Sequence, residues 1–456
     1  MPNNPTITFC GGTHSVTGAN FLITHNGEHV LVDCGLFQGT DTQELLNYEP
    51  FPFDPKTIHY LIITHAHEDH IGRIPKLVKE GFQGLILSTE ATKDIALPML
   101  LDSVGLLTED ATRKGREPLY SEKDVRESFD LWKGIPYHNK HQLGNDISVE
   151  FYDAGHVLGS AMALFTVGGK RLLCTGDVGN SPNMLLRDTE IVPDVDYMLM
   201  ESVYGNRNHE MREERSSRLY AAITETTARG GVAMLPIFSL ERAQEMLMEF
   251  NDWVGAGKFP RVPVFLDSPL AITLTDIYKH HVDLYNTDAR RRMLKGDDLF
   301  AFKGLVRTVT SDESKGINNV AAPKIIIAGS GMLSGGRMIH HLRRYLSDPR
   351  SMLIFTGYQS PGTLGHVIQS GISPIRLFGE EIAVKAEIRS ISGYSGHKDS
   401  DHLLRFVESI AAYGTLKAVY TAMGEPDSST FLGQRIRDSL GIIAIAPEPK
   451  TVITLE

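Results

Sequence analysis

The sequence is short of cysteine. Its 456 residues hold three, Cys10, Cys34 and Cys174, widely separated and without a CxxC pair. That excludes a disulfide framework and a cysteine-based zinc finger, and it fits a reducing, cytoplasmic setting. Long apolar runs are missing too. None approaches the ~20 residues needed to span a bilayer, so no membrane segment is expected. MPNNPTITFC has no basic stretch leading into an apolar one, so nothing marks it for secretion. Basic charge is also scarce: 45 Lys and Arg against 56 Asp and Glu leave a net charge of −11. This excludes a broad basic coat for nucleic acid, but not a local or metal-lined cleft. The chain is longer than the roughly 250–300 residues at which a single core stops growing, so two domains are expected.

Histidine is plentiful, with 18 residues, and the placement matters more than the number. The first 205 residues read as strands and hairpins, with turns at Asn26-Gly27 and Gly168-Gly169. Several apolar strands run straight into a histidine or an acid: HYLIITH into His65, ISVEFYDAGH into His156, AMALFTVGGKRLLCTGD into Asp177, YMLMES into Glu201. Strand ends on one edge of a sheet bring residues distant in sequence together. From about residue 206, helical stretches alternate with short buried strands (GVAMLPIF, VPVFLD, KIIIAGS, SMLIFTGY), the pattern of a parallel α/β sheet. Near 378 the pattern returns to β. The expected organisation is one α/β domain inserted in another: 1–205 and 378–456 form the first, 206–377 the insert.

THAHEDHIG, residues 64–72, places His65, His67, Asp69 and His70 within six positions. Imidazole and carboxylate suit Zn²⁺, with Mn²⁺ or Fe also open. His65 and His67, two apart at a strand end, point the same way, and Asp69 and His70 can serve a second ion. His156 and Asp177 offer further ligands, and a carboxylate can bridge two metals that clamp a phosphodiester. Asp33, in LVDCG, is expected to orient a ligand histidine, with a plain turn acid as the competing reading.

With these residues in place, the chain resembles the metallo-β-lactamase superfamily, an αββα sandwich binding one or two metals at its sheet edge. MESVYGNRNH, LPIFSLERAQEML, DSPLA, SGMLSGGRMIHHL, GYQSPGTLG and GYSGHKD make it similar, over nearly its whole length, to the β-CASP nucleases. These include RNases related to the endonuclease subunit of pre-mRNA 3′-end cleavage. The resemblance implies an inserted β-CASP cap domain and a cleft between the domains that takes single-stranded RNA. It implies that His65, His67 and His156 bind one zinc, that Asp69 and His70 help bind a second, and that Asp177 bridges them. It pairs Glu201 with His397, the candidate general acid for the leaving oxygen, in a reaction where metal-activated hydroxide attacks the phosphate. A homodimer is left open.

One position departs from the family pattern. Where a histidine ligand of the second metal usually stands before Gly-Glu, KAVYTAMGEP has Met423. A thioether suits Zn²⁺ poorly. Three outcomes stay open: a weak second site with reduced activity, replacement by a neighbour such as His397, or an inactive RNA-binding or complex subunit. A small-molecule hydrolase on the same scaffold is the further alternative. In the insert, Ser330, Gly331 and Met332 are candidates to cradle a phosphate at a strand-to-helix turn, with Arg337 one turn on. A packing turn competes with that reading. Tyr358 could stack on a base and Gln359 could bond an RNA backbone. In DSPLA, Asp267 and Ser268 could cap a helix, and the adjacent His340 and His341 diverge too far to share one site.

Overall fold

The computed structural model describes residues 4–209, 214–359 and 362–456. The chain forms two compact units: Met1–Asn208 with Gly396–Glu456, and His209–Ser395. The return to the first unit therefore falls at Gly396, not at residue 378. Glu387–Ser390 pairs in parallel with Met352–Phe355 at the edge of the inserted sheet, which keeps residues 378–395 in the insert.

The first unit has two seven-stranded sheets. One runs Val452–Thr454, Thr6–Gly11, Asn20–His25, Glu28–Val32, Tyr60–Ile62, Leu85–Ser88, Trp132–Gly134. The other runs Ile443–Ile445, Ala418–Ala422, Tyr197–Glu201, Lys170–Cys174, Ala161–Val167, Ile147–Asp153, His141–Gln142. Each is antiparallel at one end and parallel at the other. Alternating side chains from both sheets, among them Ile7, Phe9, Phe21, Val149, Phe151, Phe165 and Tyr420, close on one buried cluster. The outer face of the second sheet is covered by the amphipathic helices Ser400–Ala411 and Pro426–Leu440. This is the expected αββα layering. Asn26-Gly27 and Gly168-Gly169 both take positive φ, the requirement of tight two-residue hairpin turns.

The inserted unit carries a six-stranded, all-parallel sheet in the order Leu305–Arg307, Val264–Asp267, Lys324–Ala328, Val232–Pro236, Met352–Phe355, Glu387–Ser390. Its four inner strands are buried along their whole length and mostly apolar, as parallel strands covered on both faces must be, whereas the edge strands Leu305–Arg307 and Glu387–Ser390 are only partly buried. Among the described residues no helix is long and apolar enough to cross a membrane.

Candidate metal centre

The parallel strands of the first unit all end at one edge. Tyr60–Ile62 leads to Thr64 and His65, Lys170–Cys174 to Asp177, and Tyr197–Glu201 ends on Glu201 itself. From the antiparallel side, Ile147–Asp153 leads to His156. Two glycines let these loops close up. A Cβ on Gly35 would lie 1.5 Å from the Asp69 carbonyl oxygen, and one on Gly179 would lie 1.7 Å from that of Gly155. Only glycine allows the Asp69–His70 and Gly155–His156 loops to approach so nearly.

His65, His67, His156 and Asp177 converge, their ligand atoms all within 4.8 Å of one another. His65 Nε2 lies 3.0 Å from His67 Nδ1, and His156 Nε2 lies 3.3 Å from the same atom. Asp177 Oδ2 is 3.4 Å from His65 Nε2 and 3.5 Å from His156 Nε2. Ligands about 2.0–2.1 Å from a tetrahedral zinc stand about 3.3 Å apart, and these four separations of 3.0–3.5 Å match that spacing. Burial keeps all three imidazoles below their ordinary pKa, His67 and His156 well below, so they present lone pairs. Burial works against the Asp177 charge, but His70 and His397 outweigh it and hold the carboxyl well below its usual range. Three neutral imidazoles around an ionised carboxylate form a donor set that fits a divalent cation.

His70 meets the other oxygen of Asp177. Its Nδ1 lies 2.8 Å from Asp33 Oδ2, and its Nε2 is 3.5 Å from Asp177 Oδ1. That Nε2 is buried with no hydrogen-bond partner. Burial opposes a charged ring, but Asp177 and Asp33 reverse the balance and raise its pKa well above normal. The two Asp177 oxygens thus face different histidines, Oδ2 toward His65 and His156 and Oδ1 toward His70. Asp33 is itself fixed: Thr64 donates its backbone N–H to Oδ1 and its hydroxyl to Oδ2, at 2.8 and 2.9 Å. The Asp69 carboxylate stands outside the converging atoms, half-buried, its pKa raised by burial and by the charge of Asp177.

His397 comes back from the far end of the chain. Its Nδ1 lies 3.1–3.2 Å from both Glu201 oxygens and 3.9 Å from Asp177 Oδ2. Glu201 is fully buried, and its Oε1 accepts from Val178 N at 2.7 Å. Burial lowers the basicity of His397, but Glu201 and then Asp177 outweigh it and raise its pKa to about 9. Asp177, Glu201 and His397 form the second group with ligand atoms close enough for an ion. The Gly396 carbonyl takes His156 Nδ1 at 3.2 Å, a partner that sequence did not single out, although it sits inside the SGHKD motif.

Met423 follows the strand beside Glu201, but its side chain is 1% exposed and belongs to the apolar cluster between the sheets, against Gly12. It takes a positive φ of 48°.

The residues proposed for substrate in the insert do not all face outward. Arg337 is spoken for: it pairs with the buried Asp267 at 2.7 Å and donates to the Thr308 and Val309 carbonyls. Gln359 is buried, and its amide donates to the carbonyls of Gly331, Gly357 and Tyr358, so it braces the loop and is not presented to RNA. Ser330 donates its N–H to the Gly335 carbonyl at 3.3 Å, and Met332 accepts from Gly365 N. Gly331 lies under Phe238, where a Cβ would come within 2.8 Å of the ring. Tyr358 is half-exposed and can stack. Ser268 caps the helix Pro269–His280, whereas Asp267 binds Arg337, His341, Thr308 and Ser314.

Three family descriptions match the sequence: the metallo-beta-lactamase superfamily over residues 17–206, the Beta-Casp domain over 243–368, and the Zn-dependent metallo-hydrolase RNA specificity domain over 381–447. The chain is 37% identical to Ribonuclease TTHA0252 of Thermus thermophilus, over 87% of this chain and 89% of that one. It is 32% identical to Transcription termination factor FttA of Pyrococcus abyssi, over 98% and 71%. It is 31% identical to an RNase J-like protein of Methanocaldococcus jannaschii, over 89% of each. A crystal structure of an Enterococcus faecalis protein of unknown function shares the fold, with a TM-score of 0.56 at 12% identity over 99% of this chain and 100% of that one. The chain belongs to the β-CASP branch of the metallo-β-lactamase superfamily.

Proposed function

We infer that this chain is a metal-dependent ribonuclease that hydrolyses single-stranded RNA. The carrying observation is the convergence of His65, His67, His156 and Asp177 beside the Glu201–His397 pair. We assign zinc to that position because imidazole nitrogens joined by a carboxylate oxygen are ligands that suit it. His70, the second Asp177 oxygen and Asp69 would hold a second ion. When bound, the divalent ions supply a water activated at neutral pH and neutralise the scissile phosphate. The protein's own groups do the rest. Thr64 and Asp33 orient His70, and the Gly396 carbonyl orients His156. Glu201 binds Nδ1–H of His397, which turns Nε2 toward delivering a proton to the leaving oxygen as the P–O bond breaks. Asp177 keeps its two oxygens directed at the two positions.

A second reading rests on Met423. A thioether buried among apolar side chains gives the second ion no ligand, so turnover is reduced, and RNA binding without turnover is its limit. One experiment covers both. Labelled single-stranded RNA should be cut with zinc present and spared with chelator or by Asp177→Asn. Met423→His should bind more metal per chain and cut faster. Cleavage that persists through chelation and Asp177→Asn would end the metal mechanism. Equal metal content and equal rate in Met423→His would end the second-ion reading.

A further inference from the structure

A chain with net charge −11 must still meet a polyanion beside its buried metal ligands. The turn after Glu201 carries a cation to that place. The Tyr204 ring centroid lies 6.1 Å from that of His397, tilted 40°. The Arg207 guanidinium sits 4.7 Å from the Tyr204 centroid. His397 in turn lies 4.6 Å from His156. Planar groups therefore follow one another outward, from a buried ligand histidine through His397 and the half-buried Tyr204 to the exposed Arg207.

The turn is held from several directions. Gly205 N donates to the Ser202 carbonyl at 3.0 Å, and Arg207 N to that of Tyr204 at 3.2 Å. The Ser202 hydroxyl donates to the Ala422 carbonyl at 2.7 Å. Ser400 donates its N–H to the Arg207 carbonyl and its hydroxyl to that of Gly205. A Cβ on Gly205 would lie 2.4 Å from the Ser428 carbonyl oxygen, so the turn is pressed onto the helix Pro426–Leu440. Asp401, at the start of the helix that receives the turn, is matched by Arg435 at 2.8 Å and by Asn208 at 3.0 Å. A guanidinium laid against an aromatic ring loses little freedom on binding, and its fork fits a phosphate with two hydrogen bonds.

We propose that Arg207, carried on the ring of Tyr204, binds the RNA phosphate next to the scissile one on the leaving-group side. This rests on the nuclease reading above. The side follows from contact: Tyr204 stands against His397, the group assigned to the leaving oxygen. Arg207 is then a substrate-binding residue, and Tyr204 a positioning residue acting through it.

The test uses short single-stranded RNAs with one neutral methylphosphonate on either side of the cleaved linkage, with product ends identifying the leaving side. The unmodified protein should lose roughly tenfold to a hundredfold in kcat/KM for the leaving-side replacement only. Arg207→Ala should lose as much on ordinary RNA and nothing further on the modified strand. Tyr204→Leu should fall to the level of Arg207→Ala, and Tyr204→Phe, which restores a ring under the guanidinium, should recover most of that loss. Fluorescence anisotropy of labelled RNA, in chelator so that it stays intact, should show the same loss of affinity in Arg207→Ala. Additive losses, or an Arg207→Ala protein that binds and cuts like its parent, would overturn the proposal. A parent protein that cuts no RNA with any metal would defeat the nuclease reading instead, and the anisotropy comparison would then decide the Arg207 contact by itself.

Discussion

At the scale of single residues, Asp33 shows how much one buried carboxylate organises. It is 1% exposed, takes a positive φ of 56°, and receives the Thr64 N–H, the Thr64 hydroxyl and the His70 ring. Asp33→Ala would leave the Thr64 N–H without its acceptor and let the His70 ring turn. A tenfold to hundredfold drop in metal affinity is expected, roughly the effect of losing such an outer partner, together with a lower Tm. Competition with a chromophoric chelator measures the first, and a melt in excess chelator isolates the second. Unchanged affinity would mean that His70 needs no holding. Much of this neighbourhood was legible in THAHEDHIG because the spacing of its histidines is local. The fates of Arg337 and Gln359 were not. Their partners, Asp267 and Gly331, lie far away in sequence, and a glycine-rich strand-to-helix turn looks the same whether its polar groups face a ligand or each other.

At the scale of elements, the insert is tied together by the end of one strand. Asp267 closes Val264–Asp267 and binds Thr308 after the neighbouring strand, Ser314 on the helix Ser311–Gly316, and Arg337 and His341 at the helix Met338–Tyr345. Burial alone would raise its pKa. Hydrogen bonds from His341, Ser314, Thr308 and Arg337 outweigh that and hold the carboxyl far below the usual range. A depressed carboxyl contributes stability that is present above its unfolded value of about 3.9 and lost as pH falls toward the native one. The insert should therefore weaken below about pH 4. Asp267→Asn should cost about 3 kcal/mol near neutral pH and flatten that acid limb, which urea melts at several pH values would read. A parallel acid limb in the variant would place the titration elsewhere. Periodicity made these elements visible, since the alternation of helix and apolar strand from residue 206 is a parallel α/β sheet. It could not say which sheet EIAVKAEIRS would join. Strand patterning shows that one face is buried but does not name the neighbour, and Glu387–Ser390 went to the inserted sheet.

At the scale of the whole molecule, two units with separate buried clusters differ in what they owe to metal. In the first, the buried His65, His156 and Asp177 and the half-buried His67 are packed against one another, and His70 Nε2 has no hydrogen-bond partner. Without a cation these groups are close-packed polar atoms with too few protons to share. A bound ion adds RT ln(1 + [L]/Kd), about 4.1 kcal/mol at a thousandfold excess over Kd. The second unit holds the buried Asp267 in an ion pair with Arg337, and among the described residues it has no group of converging metal-binding side chains. Calorimetry should resolve two transitions. Chelation should lower one by several degrees and leave the other in place. Asp267→Asn should do the reverse, so the two perturbations identify which transition belongs to which unit. If chelation moved both transitions equally, or neither, metal binding and folding of the first unit would not be linked, and the converging histidines would have to be stable as neutral rings alone.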